Sequence, residues 1–166
     1  TVDKPIVRGA RAQDCDQLFE FVVDLAEYER ASDSVASTAD MLRQALFPSD
    51  HEPHVWAHVV VDPQDPKRLI GAAIWHLNYS TWTGQHGIYV EDLYVRSECR
   101  GLGSGRALLA ALARICLERG YQRLQWSVLD WNTPSVEFYR NLGAESLDEW
   151  VGYRLTGNDL TELASS

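Results

Sequence analysis

The amino-acid sequence predicts a mixed α/β domain in which a sheet is flanked by helices. Two kinds of apolar spacing alternate along the chain: residues three or four apart, as in an amphipathic helix, and short β-branched runs, as in strands. The predicted order is strand, two helices, three strands, helix, strand, helix, strand, which is typical of a mixed α/β fold. A length of 166 residues fits one domain, so we expect residues 1–166 to form a single one.

The first third of the chain predicts one strand and two helices. Residues 6–9 form a short strand. Apolar residues then recur at helical spacing, and we predict a first helix from an N-cap at Asp14 to about Glu29. Thr38 is the predicted N-cap of a second helix, which ends at Pro48 because proline has no backbone N–H with which to continue it.

The middle of the chain predicts three strands. Residues 55–61 and about 68–77 are strands joined by a turn. A third strand covers residues 87–95, and the alternation of its apolar residues slips between Val90 and Leu93. One extra residue there predicts a β-bulge, which leaves backbone groups unpaired and often lies near a functional site.

The last third of the chain predicts two helices and two strands. An amphipathic helix follows a glycine-rich turn and ends at Gly120, and residues 124–129 form a strand. Asn132 is the predicted N-cap of a short helix that closes at Gly143. Residues 150–155 are predicted to form the last strand.

The composition argues against several classes of partner. The formal charge of −9 repels nucleic acid and favours cationic ligands. The apolar runs are too short to cross a bilayer. Residues 1–5 lack the apolar segment of a signal peptide. We therefore expect a cytoplasmic protein that binds neither nucleic acid nor membrane.

Cysteine and histidine spacing gives no metal site. Three cysteines, Cys15, Cys99 and Cys116, lie far apart and indicate neither a disulfide framework nor a zinc knuckle. The triplet His51, His54 and His58 has a spacing that suits a metal site on a helix. Pro53 and the β-branched residues that follow argue against that helix. We therefore interpret these histidines as scattered surface residues and expect no metal.

The strongest functional motif is the turn Arg-Gly-Leu-Gly-Ser-Gly at residues 100–105, between a predicted strand and a predicted helix. Its glycines allow successive N–H groups to turn inward, and the helix N-terminus adds partial positive charge, which favours a pyrophosphate. The third glycine of the dinucleotide fingerprint would fall at Arg106, and the Gly-Lys-Ser/Thr of a triphosphate loop is missing. Spacing alone leaves a pyrophosphate cradle and a flexible turn equally open.

The pattern R-x-x-G-x-G, after a strand and before a helix, resembles the acetyl-CoA signature of the GNAT acetyltransferases. The diamine acetyltransferase branch is similar in further segments: residues 25–29, 79–82, 89–95, 128–132 and 138–139. The resemblance covers residues 6 to 164. It implies a GNAT fold with a central, twisted, mostly antiparallel sheet, helices on its faces and a splayed strand with a β-bulge. It also implies acetyl-CoA as co-substrate, no metal, and a homodimer with substrate pockets near the subunit interface.

Residues Ser80 and Thr81, before Trp82, bear on the substrate. Polyamine-specific members of the branch resemble Asp-Pro at these positions, whereas relatives that acetylate thialysine and similar lysine analogues resemble Ser-Thr. The chain follows the second pattern and lacks a carboxylate that would hold the far end of a long polycation. The resemblance therefore implies a small diamine or a lysine-like amine rather than spermidine or spermine.

The resemblance also assigns residues to roles. Glu91 matches the base and Tyr139 the general acid; taken alone, Glu91 reads as a solvated carboxylate, and Tyr139 reads equally well as a core residue. The implied cofactor-binding residues are Leu93, Tyr94, Val95, Arg100, Gly101, Leu102, Gly103, Ser104, Gly105, Arg106, Asn132 and Tyr139. The implied substrate-binding residues are Tyr28, Glu29, Trp82, Glu91 and Asp92. In a regular strand the side chain of Asp92 would point away from that of Glu91, which weakens its assignment.

Two other functions remain open from the sequence. The same fold and co-substrate suit transfer to a protein amine, either an N-terminus or a lysine side chain. A non-catalytic sensor would bind acyl-CoA without turnover. Retention of both Glu91 and Tyr139 argues against the sensor.

Overall fold

A computed structural model describes residues 4–166 of the chain. These residues form two compact units, one ending at Ser127 and the other spanning Val128–Ser166. The first unit contains the sheet and three helices, and the second contains two further helices.

The bounds of the regular elements follow the predicted order closely up to residue 143. The strands are β1 (Ile6–Gly9), β2 (Val55–Val61), β3 (Leu69–Ser80), β4 (Gln85–Val95) and β5 (Leu124–Trp126). The helices are α1 (Cys15–Tyr28), α2 (Ala39–Leu46), α3 (Ser104–Arg119), α4 (Thr133–Asn141) and α5 (Gly157–Ala164). Short 3₁₀ turns lie at Ala12–Asp14, Ser32–Ser34 and Ser97–Cys99.

The sheet has the order β1-β2-β3-β4-β5 and is antiparallel except for the parallel pair β4 and β5. This confirms the predicted mixed α/β class and the mostly antiparallel sheet. One face packs against α1 and α2, where Leu18 and Leu46 join Val59 and Ile74 in a buried core. Helix α3 contacts β2, β3 and β4 and buries Leu108 among other apolar side chains.

Several local predictions are confirmed. The Thr38 side chain accepts a hydrogen bond from the Met41 N–H at 3.2 Å, as an N-cap does. Helix α3 ends at Gly120, whose φ of 71° is in the left-handed region that glycine tolerates. Strand β3 extends three residues beyond the predicted end at residue 77, to Ser80.

The prediction of a last strand at residues 150–155 is wrong. The structure has no strand there, and Val151 and Tyr153 are 75% and 96% exposed. Aromatic and β-branched residues favour a strand only where a neighbouring strand supplies hydrogen bonds and one face is buried. The predicted strand at 124–129 is also shorter and ends at Trp126, and helix α5 was not predicted.

Asp14 does not cap α1 as predicted. Its carboxylate points back along the chain, accepting from the Arg11 N–H at 2.7 Å and pairing with Arg8 at 2.6 Å. Burial raises the pKa of Asp14, but the hydrogen bonds from Arg8 and Arg11 outweigh burial and lower the pKa. Asp14 therefore fixes β1 to the start of α1.

The prediction that all three spaced histidines lie on the surface is wrong for His58. Rings of His51 and His54 are exposed and stack with their centroids 5.6 Å apart. His58 is half-buried on β2, and its Nδ1 accepts from the indole N–H of Trp75 at 3.1 Å. Burial, and then the charge of Arg119, lower the pKa of His58.

Within residues 4–166 no helix is long and apolar enough to span a bilayer.

Candidate active site

The glycine-rich turn between β4 and α3 has the backbone conformation that its sequence predicts. Gly101 has a φ of 78° and Gly103 a φ of 89°, both in the left-handed region that favours glycine. A Cβ atom added to either glycine would meet no atom within 4 Å. The space in front of the turn is therefore open to a ligand.

The residues at the start of α3 fit an anionic group. Helix α3 begins at Ser104, and no side chain caps its N-terminus. The first N–H groups of a helix have no partner inside it and carry partial positive charge. Ser104 is buried, and its Oγ has no hydrogen-bond partner in the described part of the chain. A buried hydroxyl without a partner, beside the first N–H groups of a helix, suits the diphosphate of a coenzyme A molecule.

Arg100 is the first residue of this turn, and its guanidinium reaches the end of α1. Its Nε donates to the Val95 carbonyl oxygen at 3.0 Å. Its guanidinium carbon is 5.3 Å from the ring centroid of Tyr28 and 5.8 Å from that of Tyr94. In this structure a cation–π contact at Tyr28 is therefore made by Arg100, and the contact of Tyr28 with a substrate cation stays a prediction.

One edge of β4 is open where the pantetheine arm of coenzyme A is predicted to bind. On one edge, β4 pairs with β3 from Gln85 to Val95, and Val95 lies opposite Gly71. Strand β5 pairs with β4 only from Ile88 to Val90. Along residues 93–95 the second edge of β4 therefore has no partner strand among the described residues, as the splayed-strand prediction requires.

The β-bulge lies at Glu91, as predicted, and it decides which way the neighbouring carboxylate points. Val90 is opposite Trp75 and Asp92 is opposite Ile74, so Glu91 is the extra residue of β4. Side chains of directly opposed residues share a face of the sheet. Asp92 therefore lies on the face of Ile74, which packs against α1 and α2, whereas in an uninterrupted strand it would share the opposite face with Val90. The objection to Asp92 that regular alternation raised does not hold.

The charges of Glu91 and Glu29 both act on Asp92 at this bulge. Burial, and then the charges of Glu91 and Glu29, raise the pKa of Asp92 to about 6. Burial also raises the pKa of Glu29, which follows the last residue of α1. Negative charge on these carboxylates would stabilise a cation that enters the site.

His76 is a member of this group that the sequence did not reveal. Its Nε2 lies 3.4 Å from Oε2 of Glu91. Its ring stacks on Tyr89, with the centroids 5.2 Å apart. His76 and Tyr89 are directly opposed on β3 and β4, so the signal that would have found His76 is the pairing register of these two strands, which was not predicted.

Trp82 lies away from the carboxylates, at the tip of the β3–β4 hairpin, where it is 88% exposed. On β3 the bulge lies opposite Trp75, and the tip of the hairpin follows Ser80, five residues further along. At the rise of a strand, the distance between these two residues is about 17 Å. The hairpin does not bring Trp82 to Glu91, and a substrate contact of Trp82 stays a prediction.

Tyr139 and Asn132 belong to the second unit. The Asn132 side chain accepts from the Ser135 N–H at 3.4 Å, which confirms it as the N-cap of α4. Tyr139 lies on the last turns of α4, half-buried, and its ring centroid is 5.4 Å from that of Phe138. Its role as general acid stays a prediction.

Comparison with known proteins identifies the family. A model described as the Acetyltransferase (GNAT) family matches residues 18–144. The chain is 35% identical to a thialysine N-epsilon-acetyltransferase of Sus scrofa over 165 residues, 96% of each chain. It is 31% identical to the enzyme of that name from Caenorhabditis elegans over 152 residues, 90% of each chain. An integron cassette protein of V. cholerae superposes with a TM-score of 0.78, 26% identity and 99% coverage of both chains. The chain thus belongs to the GNAT family of acetyltransferases.

Proposed function

We propose that the chain transfers the acetyl group of acetyl-CoA to the primary amine of a small cationic substrate, either a lysine-like amine such as thialysine or a short diamine. The observation that carries the proposal is the group of carboxylates around the bulge, Glu29, Glu91 and Asp92. The names of the mammalian and nematode relatives support the choice of thialysine.

The carboxylates account for recognition of a cation. A free alkylamine has a pKa of about 10.4, so the substrate arrives as an ammonium ion at neutral pH. Negative charge at Glu29 and Asp92 attracts this ion, and the overall charge of −9 adds to the attraction at longer range. The same attraction raises the pKa of the bound amine and opposes its deprotonation. A base at the site is therefore necessary.

Glu91 is the proposed base. It is the bulged residue of β4, and its side chain is 61% exposed, so it can take a proton directly or through water. Loss of the proton leaves the electron pair on the amine nitrogen. That nitrogen then attacks the carbonyl carbon of the thioester.

Backbone and side-chain groups of the chain are proposed to hold the thioester and its leaving group. The open edge of residues 93–95 has N–H groups available to polarise the thioester carbonyl. As the new C–N bond forms, the C–S bond breaks and the sulfur leaves as a thiolate. The hydroxyl of Tyr139 supplies a proton to that thiolate, which completes the thiol product.

The coenzyme is proposed to bind along residues 93–95 and 100–106 and at Asn132. Acetyl-CoA supplies the activated acetyl group when bound. The left-handed Gly101 and Gly103 and the buried hydroxyl of Ser104 support this assignment.

We further propose that residues 1–166 act as one GNAT domain and that the active form is a homodimer. The family match runs across the boundary between the two compact units. Exposed apolar side chains are concentrated in the second unit, including Trp150, Val151 and Tyr153. Monomeric proteins rarely leave such a patch in water, so a second copy is the proposed cover. The three free cysteines suit a cytoplasmic location.

The proposed function is tested by thiol release from acetyl-CoA in the presence of a panel of amines. The panel contains thialysine, lysine, ornithine, 1,3-diaminopropane, spermidine and a lysine-containing peptide. We expect the highest kcat/KM with thialysine or another short amine, because Ser80 and Thr81 offer no carboxylate to the far end of a long polyamine. Spermidine should be the poorer substrate.

The other functions are outcomes of the same assay. Preference for the peptide would favour a protein acetyltransferase. Coenzyme binding by calorimetry without thiol release from any amine would favour a non-catalytic sensor and contradict the proposal. Light scattering under the same conditions should give the mass of a dimer.

A further inference from the structure

We propose that His76 acts through Glu91 as a positioning residue and takes up the proton that Glu91 removes from the substrate ammonium. The inference rests on the function proposed above, since it assigns a new residue to the same site. Neither the glycine motif nor the family resemblance points to His76.

Contacts at the two ring nitrogens and at one ring face fix the orientation of the His76 ring. Nδ1 lies 3.3 Å from the carbonyl oxygen of Leu77. A carbonyl oxygen only accepts hydrogen bonds, so a hydrogen bond here requires the proton to be on Nδ1, and we assign that tautomer to the neutral ring. The ring face stacks on Tyr89, whose hydroxyl is 2.7 Å from Oγ of Ser127.

This orientation presents an acceptor to Glu91. In a neutral imidazole that is protonated at Nδ1, Nε2 has a lone pair. Nε2 is 3.4 Å from Oε2 of Glu91. A proton that reaches Glu91 thus has an acceptor nitrogen next to it.

The proton follows a balanced route. The ammonium N–H bond breaks and leaves its electron pair on the substrate nitrogen, and Glu91 receives the proton. Glu91 passes it to Nε2, and the resulting imidazolium releases it to water. The side chain of His76 is 39% exposed, so water reaches the ring. An imidazole can accept a proton at one ring nitrogen while the other keeps its hydrogen bond, which makes it a suitable intermediate carrier.

The other groups around His76 support a role for charge. Strand β4 contributes Tyr89, Glu91 and Asp92, and α1 is followed by Glu29, whose charge reaches Asp92. On β2 the residue opposite His76 is Val55, which does not titrate. An imidazolium formed at His76 therefore faces the carboxylate of Glu91, which stabilises it while the amine attacks.

Two substitutions separate positioning of Glu91 from proton uptake. His76→Gln keeps a polar group near Glu91 but cannot carry a proton between Glu91 and water. We expect its kcat to fall about 10- to 100-fold while the KM for the amine changes less than about threefold. His76→Ala removes the ring, and added imidazole should restore at least part of its kcat, because the site is open to water.

The matched control is His86→Ala. His86 lies on the same hairpin, is exposed, and contacts Tyr79 rather than a carboxylate of the site. Its kcat should stay within about twofold of the unmodified protein, and imidazole should not change it.

Each outcome decides the inference. An unchanged kcat in His76→Gln overturns it, and so does a loss in His76→Ala that imidazole fails to restore. If the unmodified protein releases no thiol with any amine, the proposed function fails and the role of His76 fails with it. If the unmodified protein is active and only the His76 results are negative, the proposed function stands and this inference alone is lost.

Discussion

Replacing Asp92 by asparagine is predicted to make the protein more stable at neutral pH while it weakens amine binding. The pKa of Asp92 is raised from 3.8 to about 6 by burial and by the charges of Glu91 and Glu29. A shift of this size corresponds to about 3 kcal/mol by which the folded state disfavours the ionised carboxylate. Solvent screening and adjustment of the two neighbouring carboxylates reduce that figure, so we expect about 1–3 kcal/mol.

The sign of the pH dependence follows from the direction of the shift. Between about pH 4 and pH 6 the folded protein keeps the Asp92 proton and the unfolded chain loses it, so this residue lowers stability as the pH rises through that range. Above pH 6 the full penalty is present, and below pH 4 it is absent. The gain from Asp92→Asn should therefore be complete at pH 7.5 and disappear by about pH 4.

Urea unfolding of both proteins at pH 7.5 and pH 4.0 measures this difference. Asp33→Asn is the matched control, because Asp33 is exposed in the short turn Ser32–Ser34, and it should change stability by less than about 0.5 kcal/mol. In the thiol-release assay Asp92→Asn should raise the KM for a cationic amine several-fold. Equal gains at both pH values, or no gain at pH 7.5, would refute the electrostatic account of this site.

Two further substitutions test the remaining roles. Tyr139→Phe should lower kcat about 100-fold and leave the KM for acetyl-CoA within about threefold, because only the proton donor is lost. The control is Tyr121→Phe, in the turn after α3, and an unchanged kcat in Tyr139→Phe would remove Tyr139 from the acid role. Gly103→Val should abolish acetyl-CoA binding in calorimetry, because valine does not tolerate a φ of 89° and its side chain would occupy the open space before the turn. The control Gly9→Val, at the end of β1, should bind acetyl-CoA normally. Retained acetyl-CoA binding by Gly103→Val would count against the assignment of this turn to the phosphates.

The parts of the site that depend on local sequence were predictable. The glycines at 101 and 103 adopt positive φ because of their own backbone freedom. The slip in apolar alternation located the bulge between Val90 and Leu93 without knowledge of its partner strand. Helix ends at Thr38, Asn132 and Gly120 also followed from nearby residues, since capping involves atoms within one turn.

Predictions failed where a distant segment decides the outcome. Residues 150–155 have the composition of a strand but no strand pairs with them in the described structure, and composition cannot report a missing partner. Asp14 was read as a cap, but the guanidinium of Arg8 and the N–H of Arg11 draw its carboxylate back toward β1. His58 was read as a surface residue, but the indole of Trp75 on the next strand holds it.

The sequence by itself determined the class of fold, the bulge and the glycine turn, because each depends on the spacing of neighbouring residues, and the resemblance of its motifs to the GNAT acetyltransferases indicated the family. Only the tertiary structure decided that Asp92 shares a face with Ile74, that His76 meets Glu91, and that Arg100 covers Tyr28. The physical reason is register: which residue of β3 lies opposite which residue of β4, and where the end of α1 meets the sheet, are set by the packing of the whole core and not by either segment alone.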